Sequence, residues 1–169
     1  MTEPDDVQRT LETLWHQKKQ IFARKGIADI FARPGYREFF ADIASHPHAR
    51  HLVHVSRVDI GTTCAAANFA LTFGGCYYHV VSSYCDGQLT RYGPGTLQLR
   101  ELLAHAIGMG LRLFDFTIGD EHYKLEWSDL RLKLYAVSYT HLDVYKRQTL
   151  NRIGRRVDRH ACSSAATIR

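Results

Sequence analysis

A chain of 169 residues that is 45% hydrophobic and 23% charged has the size and balance of one globular domain with one core, which excludes a disordered linker and a multidomain protein. No apolar run approaches the roughly 18–20 residues of a membrane-spanning helix, and the acidic start Thr2-Glu3-Pro4-Asp5-Asp6 is unlike a secretory signal, so a cytoplasmic protein without a membrane span is expected. The formal charge of +5 lies in the tail: residues 1–136 hold 15 Lys+Arg against 15 Asp+Glu, and residues 137–169 hold 7 against 2. The body therefore lacks the basic face that tracks phosphates, and no nucleic-acid partner is expected.

In chain order, Val7, Leu11, Leu14, Trp15, Ile21 and Phe22 recur at helical steps and predict a helix from about Asp5 to Lys25, with Gly26 as its C-cap. Pro34 announces a second helix that carries Tyr36, Phe39, Phe40 and Ile43 inward and stops at Pro47. The period then changes. His51–Val58, Thr62–Phe73 and Cys76–Tyr84 are rich in Val, Thr, Phe and Tyr, and their short Gly-containing connections predict an antiparallel meander. Thr96–Ile107 is helical again through Leu99, Leu102, Leu103 and Ile107, and Leu111–Thr117 reads as a buried strand. From Val137 onward the apolar period fades into Arg-rich and Ser/Ala-rich sequence. The expected organisation is one domain over 1–136 and a basic, disordered or artefactual tail over 137–169, with no part of the core built from it. Residues 137–148 resemble a peptide that recurs at the ends of unrelated proteins as translated sequencing-adapter or assembly sequence.

Four cysteines, Cys64, Cys76, Cys85 and Cys162, show neither C-x-x-C spacing nor the density of a disulfide scaffold, so reduced thiols are expected. They lack a visible partner for nucleophilic catalysis. His46, His48, His51 and His54 are short-spaced like zinc ligands, but His51 and His54 stand an odd number apart in an expected strand and no Cys or carboxylate completes a set; no metal is expected.

Two stretches carry more chemistry. Arg91-Tyr92-Gly93-Pro94-Gly95-Thr96 runs into a helix, where glycines let backbone N–H groups approach a ligand and the first turn offers unpaired donors at the positive end of the dipole. This suits a pyrophosphate, although the hexapeptide by itself reads more readily as an ordinary loop with a Pro and with Thr96 as N-cap. It is no Walker loop, and Gln98 occupies the third glycine position of a dinucleotide fingerprint. The second stretch runs Phe114-Asp115-Phe116-Thr117-Ile118-Gly119-Asp120-Glu121-His122-Tyr123-Lys124-Leu125-Glu126-Trp127. A carboxylate near apolar rings can be raised toward the range of a general base, and a nearby Tyr can return a proton to a leaving group. The alternative is a solvated turn at Asp120 and Glu121, followed by core contacts from Tyr123 and Trp127 on one helical face.

Together, Tyr92-Gly93-Pro94-Gly95-Thr96-Leu97 and Phe114-Asp115-Phe116 with Gly119-Asp120-Glu121-x-Tyr123-Lys124-x-x-Trp127 resemble the GNAT acyltransferase superfamily, specifically its cellulose-biosynthesis-associated acetyltransferase-like branch, over about Trp15 to Leu134. The resemblance implies an α/β (α+β) fold, a mixed and largely antiparallel sheet flanked by helices, here without its first strand and C-terminal strands. It implies acetyl-CoA as acyl donor, bound in a notch between Cys76–Tyr84 and Leu111–Thr117, and a small-molecule amine, of a sugar or similar compound in envelope or polysaccharide metabolism, as acceptor. It assigns Arg91, Gly93, Gly95 and Thr96 to the cofactor and Asp115, Glu121, Tyr123 and Lys124 to the acceptor side, with Glu121 as base, Tyr123 as acid and Lys124 as a substrate or phosphate contact. Thr90 stands where the family's loop carries Gln or Arg. A missing N-terminal domain or a partner would complete the sheet. Two further readings are an inactive fragment serving as an interaction module and an aminoacyl-tRNA-dependent transferase.

Overall fold

The apolar stripe of the first segment makes it a helix because one face can be buried, and in the computed structural model of the protein, which describes residues 3–135 and 160–167, Leu11, Leu14, Trp15 and Ile21 are buried along α1 (Pro4–Lys25). Pro4 stands in the first turn, where its missing N–H has no helical partner to lose. Asp5 and Asp6 lie at the positive end of the dipole, Arg24 and Lys25 at the negative end, and Gly26 closes the helix in the left-handed region at φ 64°. The second helix, α2 (Tyr36–Ser45), is capped by Gly35 and not opened by Pro34. Of its four residues expected inward, Phe40 alone is buried; Ile43 is partly covered, and Tyr36 and Phe39 are exposed. A ten-residue helix meets the core along one line, here the Phe40 ring packed on Trp15, Phe31 and Phe69, and residues off that line stay wet.

The meander forms as expected: β1 (Val53–Ile60), β2 (Thr63–Phe73) and β3 (Cys76–Tyr84) pair antiparallel. His51 falls in a 3-10 turn ahead of β1 and not in the strand. Then come α3 (Pro94–Gly108), β4 (Leu113–Ile118), α4 (His122–Trp127), β5 (Leu130–Tyr135) and β6 (His160–Thr167). The six strands lie in the order β1-β2-β3-β4-β6-β5, and β3 with β4 is the parallel pair. Helices α1 and α2 cover one face through Leu11, Leu14, Trp15 and Phe40 on Val55, Ala67, Phe69 and Val81. The other face is covered by α3, with Leu99, Leu102 and Ala106 on Ala70, Tyr77, Phe114 and Phe116. Burying a large apolar side chain of this kind contributes about 1.5–3 kcal/mol.

Two strands thus follow β4 where none was expected. The expectation that nothing after residue 137 joins the core is corrected at β6, which sits between β4 and β5 and buries Ala165 at 1% exposure. The peptide at 137–148 lies outside the described residues.

Two irregularities place the site. The β2–β3 register slips between Phe69 and Ala70, so that β3 advances two residues, from His79 to Val81, where β2 advances one. Val80 is the extra residue, and it packs with its neighbour Val81 toward α1. In β4, Thr117 takes a positive φ of 59°, which a β-branched residue adopts only when its surroundings compel it. Its N–H donates to Asp115 Oδ1 at 2.7 Å and its hydroxyl to the His79 carbonyl at 3.2 Å.

Candidate active site

The parallel pairing of β3 and β4 is short. Cys76, Tyr77 and Tyr78 pair with Leu113, Phe114 and Asp115, and there the ladder ends, although β3 runs on to Tyr84 and β4 to Ile118. Past that point no ladder bond joins the two strands, the Thr117 hydroxyl on the His79 carbonyl being a side-chain tie, and a cavity of ≈ 430 Å³ lies along the rest of β3 and the segment that follows β4. Lys18, Ile21 and Lys25 of α1 line it from one side, Pro94, Gly95, Thr96, Gln98 and Leu99 of α3 from the other, and Glu121, Tyr123, Glu126 and Trp127 come from the segment after β4. Its β3 wall is His79 and Ser82 to Tyr84.

At the rim, Gly93 is the N-cap of α3 with φ 60°, Pro94 takes the first turn and no acidic residue follows in that turn. The cap is thus Gly93 and not Thr96. The first intrahelical bond is Leu97 N–H to the Gly93 carbonyl at 3.0 Å, which leaves the earlier amides of the turn as donors toward the cavity. Gly95 has a steric reason besides: a Cβ there would stand 3.3 Å from Tyr84 Cδ1, so a side chain would require the Tyr84 ring to give by a few tenths of an ångström. Arg91 is not at the cavity. Its guanidinium bonds the Tyr92 hydroxyl at 2.7 Å and stacks 4.8 Å over that ring.

At the other rim, Gly119 has φ 129°, and a Cβ on it would collide with the Glu121 carboxylate and come within 2.8 Å of Lys124 Nζ. The turn is therefore built around an ion pair, Glu121 Oε2 to Lys124 Nζ at 2.9 Å. The Lys124 ammonium also donates to the Ile118 carbonyl at 2.9 Å, and its side chain is 4% exposed. Burial pushes the Glu121 carboxyl upward, but the Lys124 hydrogen bond and charge, with Lys18 farther off, outweigh it and hold the group below its ordinary value. Tyr123 is pushed up to about 12 by burial and by the Glu121 charge. Its ring stands edge-on to Phe116 at 6.3 Å.

The structure therefore brings Gly93, Gly95, Thr96, Glu121 and Tyr123 to one cavity. Lys124 braces Glu121 from beneath. Asp115 alternates with the buried Phe114 and Phe116 along β4 and accepts the Thr117 amide, so it holds the strand's bend and does not line the cavity. Sequence inspection passed over Lys18 and His79. Lys18, lowered chiefly by burial and countered by Glu121, lies on the polar edge of an amphipathic helix, where a lysine is unremarked. Nothing in local pattern sets His79 apart from other strand residues.

Among the described residues no group of three or more His, Cys, Asp and Glu is placed to hold a metal, and no helix is long and apolar enough to cross a membrane. The family model described as Acetyltransferase (GNAT) domain matches residues 1–125. No curated protein and no solved structure matches the chain significantly.

Proposed function

Because the chain belongs to the GNAT acetyltransferase family, we propose that it transfers an acetyl group from acetyl-CoA to the amine of a small molecule, an amino sugar or similar compound of envelope or polysaccharide metabolism, by direct attack on the thioester. The observation that carries the proposal is that β3 and β4 pair over three residues only and that, along β3 beyond them, the N-terminus of α3, Glu121 and Tyr123 line one cavity. The diphosphate of the donor lies against the amides of Gly95 and Thr96, with the dipole of a 15-residue helix behind them. Lys25, which lines the same cavity from α1, adds a cation.

The amine nitrogen adds to the thioester carbon, and the carbonyl oxygen takes up negative charge that main-chain donors at the Val80 bulge stabilise. Glu121, ionised because its carboxyl is held low, takes the amine proton as the C–N bond forms, when that nitrogen is most acidic. The C–S bond then breaks, and the Tyr123 hydroxyl, protonated throughout the neutral range, gives its proton to the leaving thiolate. Holding both reactants in one gap supplies much of the rate, about 7–11 kcal/mol in favourable cases.

A thermal-shift titration with CoA tests the donor site: at 100 times the dissociation constant, ligand adds about 2.7 kcal/mol of stability. A folded sample whose melting point does not move at millimolar CoA removes the proposal. Acetyl-CoA-dependent thiol release over a panel of amines then finds the acceptor. Glu121→Gln should bind CoA as the parent does and lose about 10²–10⁴ in turnover; undiminished turnover would exclude Glu121 as the base.

A further inference from the structure

The imidazole of His79 has no part in the steps above. It is 6% exposed and lines the cavity. It is the first residue of β3 past the stretch paired with β4, and it immediately precedes the bulge at Val80. Its carbonyl is held by Thr117 Oγ1, and its ring lies 5.8 Å from Phe114 and 6.1 Å from Phe116. Main chain and ring are thus fixed from two sides. No hydrogen bond reaches the ring from the described residues. Among the described residues the fully buried unpaired side-chain atoms are Ser56 Oγ and Asn68 Oδ1 and not the His79 ring nitrogens, which therefore meet the cavity, where an occupant can pair with the one N–H and one acceptor nitrogen of a neutral imidazole.

The charged groups that face it are Lys124, Lys18 and Glu121. Burial first, then the two ammonium groups, lower it to about 4 against the weaker pull of Glu121. The ring is therefore neutral at physiological pH, a poor acceptor of an amine proton and a sound hydrogen-bond donor. Resting on the acetyl-transfer reading, we infer that the His79 ring N–H points at the thioester carbonyl oxygen of the acyl donor and, beside the amides of the bulge, stabilises the oxyanion formed when the amine adds. As the C–N bond forms, the π pair of the carbonyl moves onto oxygen; it returns when the C–S bond breaks. The His79 proton stays on its nitrogen throughout.

The test uses acetyl-CoA labelled with ¹³C at the carbonyl, followed by isotope-edited infrared spectroscopy on the full chain, with turnover measured in parallel. Bound to the parent, the carbonyl band should fall below its free value. In His79→Ala it should return toward that value, with kcat down about 10²–10³-fold and KM little changed. In His79→Gln, which keeps an N–H donor and has no basic nitrogen, the lowered band and kcat within about tenfold of the parent should persist. An unchanged band in His79→Ala overturns the inference, as does a His79→Gln variant as slow as His79→Ala, which would make His79 a base. Failure of the labelled acetyl-CoA to bind the parent removes the acetyl-transfer reading and this inference with it.

Discussion

The ion pair of Glu121 and Lys124 holds the turn after β4 and, in the proposed reaction, sets the charge of the base. Lys124 Nζ bonds the Ile118 carbonyl and Glu121 Oε2, so in the proposed reaction it positions Glu121 in place of the substrate or phosphate contact that the resemblance implies. Lys124→Met removes the hydrogen bond and charge that lower Glu121 and leaves the burial that raises it. The acid limb of the kcat/KM profile should therefore move to higher pH, and a limb that stays in place would mean that Glu121 does not titrate in the reaction. His79 and His54 make a second prediction. Each is lowered from 6.5 to about 4, chiefly by burial, so between those values the unfolded chain binds protons that the folded chain refuses. Stability then rises with pH across that window and is lost on acidification from 6.5 toward 4. For the nine-tenths-buried His79 the loss is on the order of 3 kcal/mol. Urea midpoints measured from pH 7 to pH 4 should fall accordingly, and His79→Gln should flatten the fall.

At the level of elements, α3 and its approach were readable because their work is done by glycine and proline, whose backbone preferences act locally. Gly93 at φ 60° and Pro94 in the first turn follow from residue type alone. The tight contact of Gly95 with Tyr84 was not readable, because it joins the first turn of a helix to a strand residue eleven positions earlier in the chain. Gly95→Ala should press on the Tyr84 ring, tilt the helix start and weaken CoA binding, and calorimetric titration should show a loss of about tenfold, an energy of about 1.4 kcal/mol. An unaltered affinity would mean that the cofactor does not meet this turn. Neither the bulge at Val80 nor the positive φ of Thr117 could be seen beforehand, since the residue types at both places fit a regular strand and only pairing with neighbours reveals the slip.

Across the whole molecule, the order of two helices, a three-stranded meander, a helix and a strand was legible from period alone, because those segments bury one face against a core. The end of the sheet was not. Leu130, Leu132 and Leu134 of β5 alternate yet remain 38–46% exposed, and β6 is drawn from small and polar residues without apolar alternation. Its place depends on the β4 and β5 edges that receive it. A chain ended after residue 135 therefore leaves β4 with an open edge and β5 without a neighbour. It should unfold at a lower urea concentration and aggregate more readily than the full chain. Equal midpoints and equal solubility would show that β6 adds nothing to the sheet.

The extra residue at Val80 also sets the phase of everything after it in β3. Before it, Tyr77 belongs to the α3 layer; after it, Val81 belongs to the α1 layer, and Ser83 bonds Gln17 of α1 at 2.8 Å while Tyr84 receives Gly95 of α3. Deleting that single valine would leave Val81 opposite Phe69 and keep Ser83 and Tyr84 on their present faces, because it is the residue the ladder to β2 leaves unmatched; what it would remove is the bend next to His79. Deletion of Val80 should for that reason lower turnover far more than the urea midpoint, and an equal loss of both would mean that the bulge serves the fold alone.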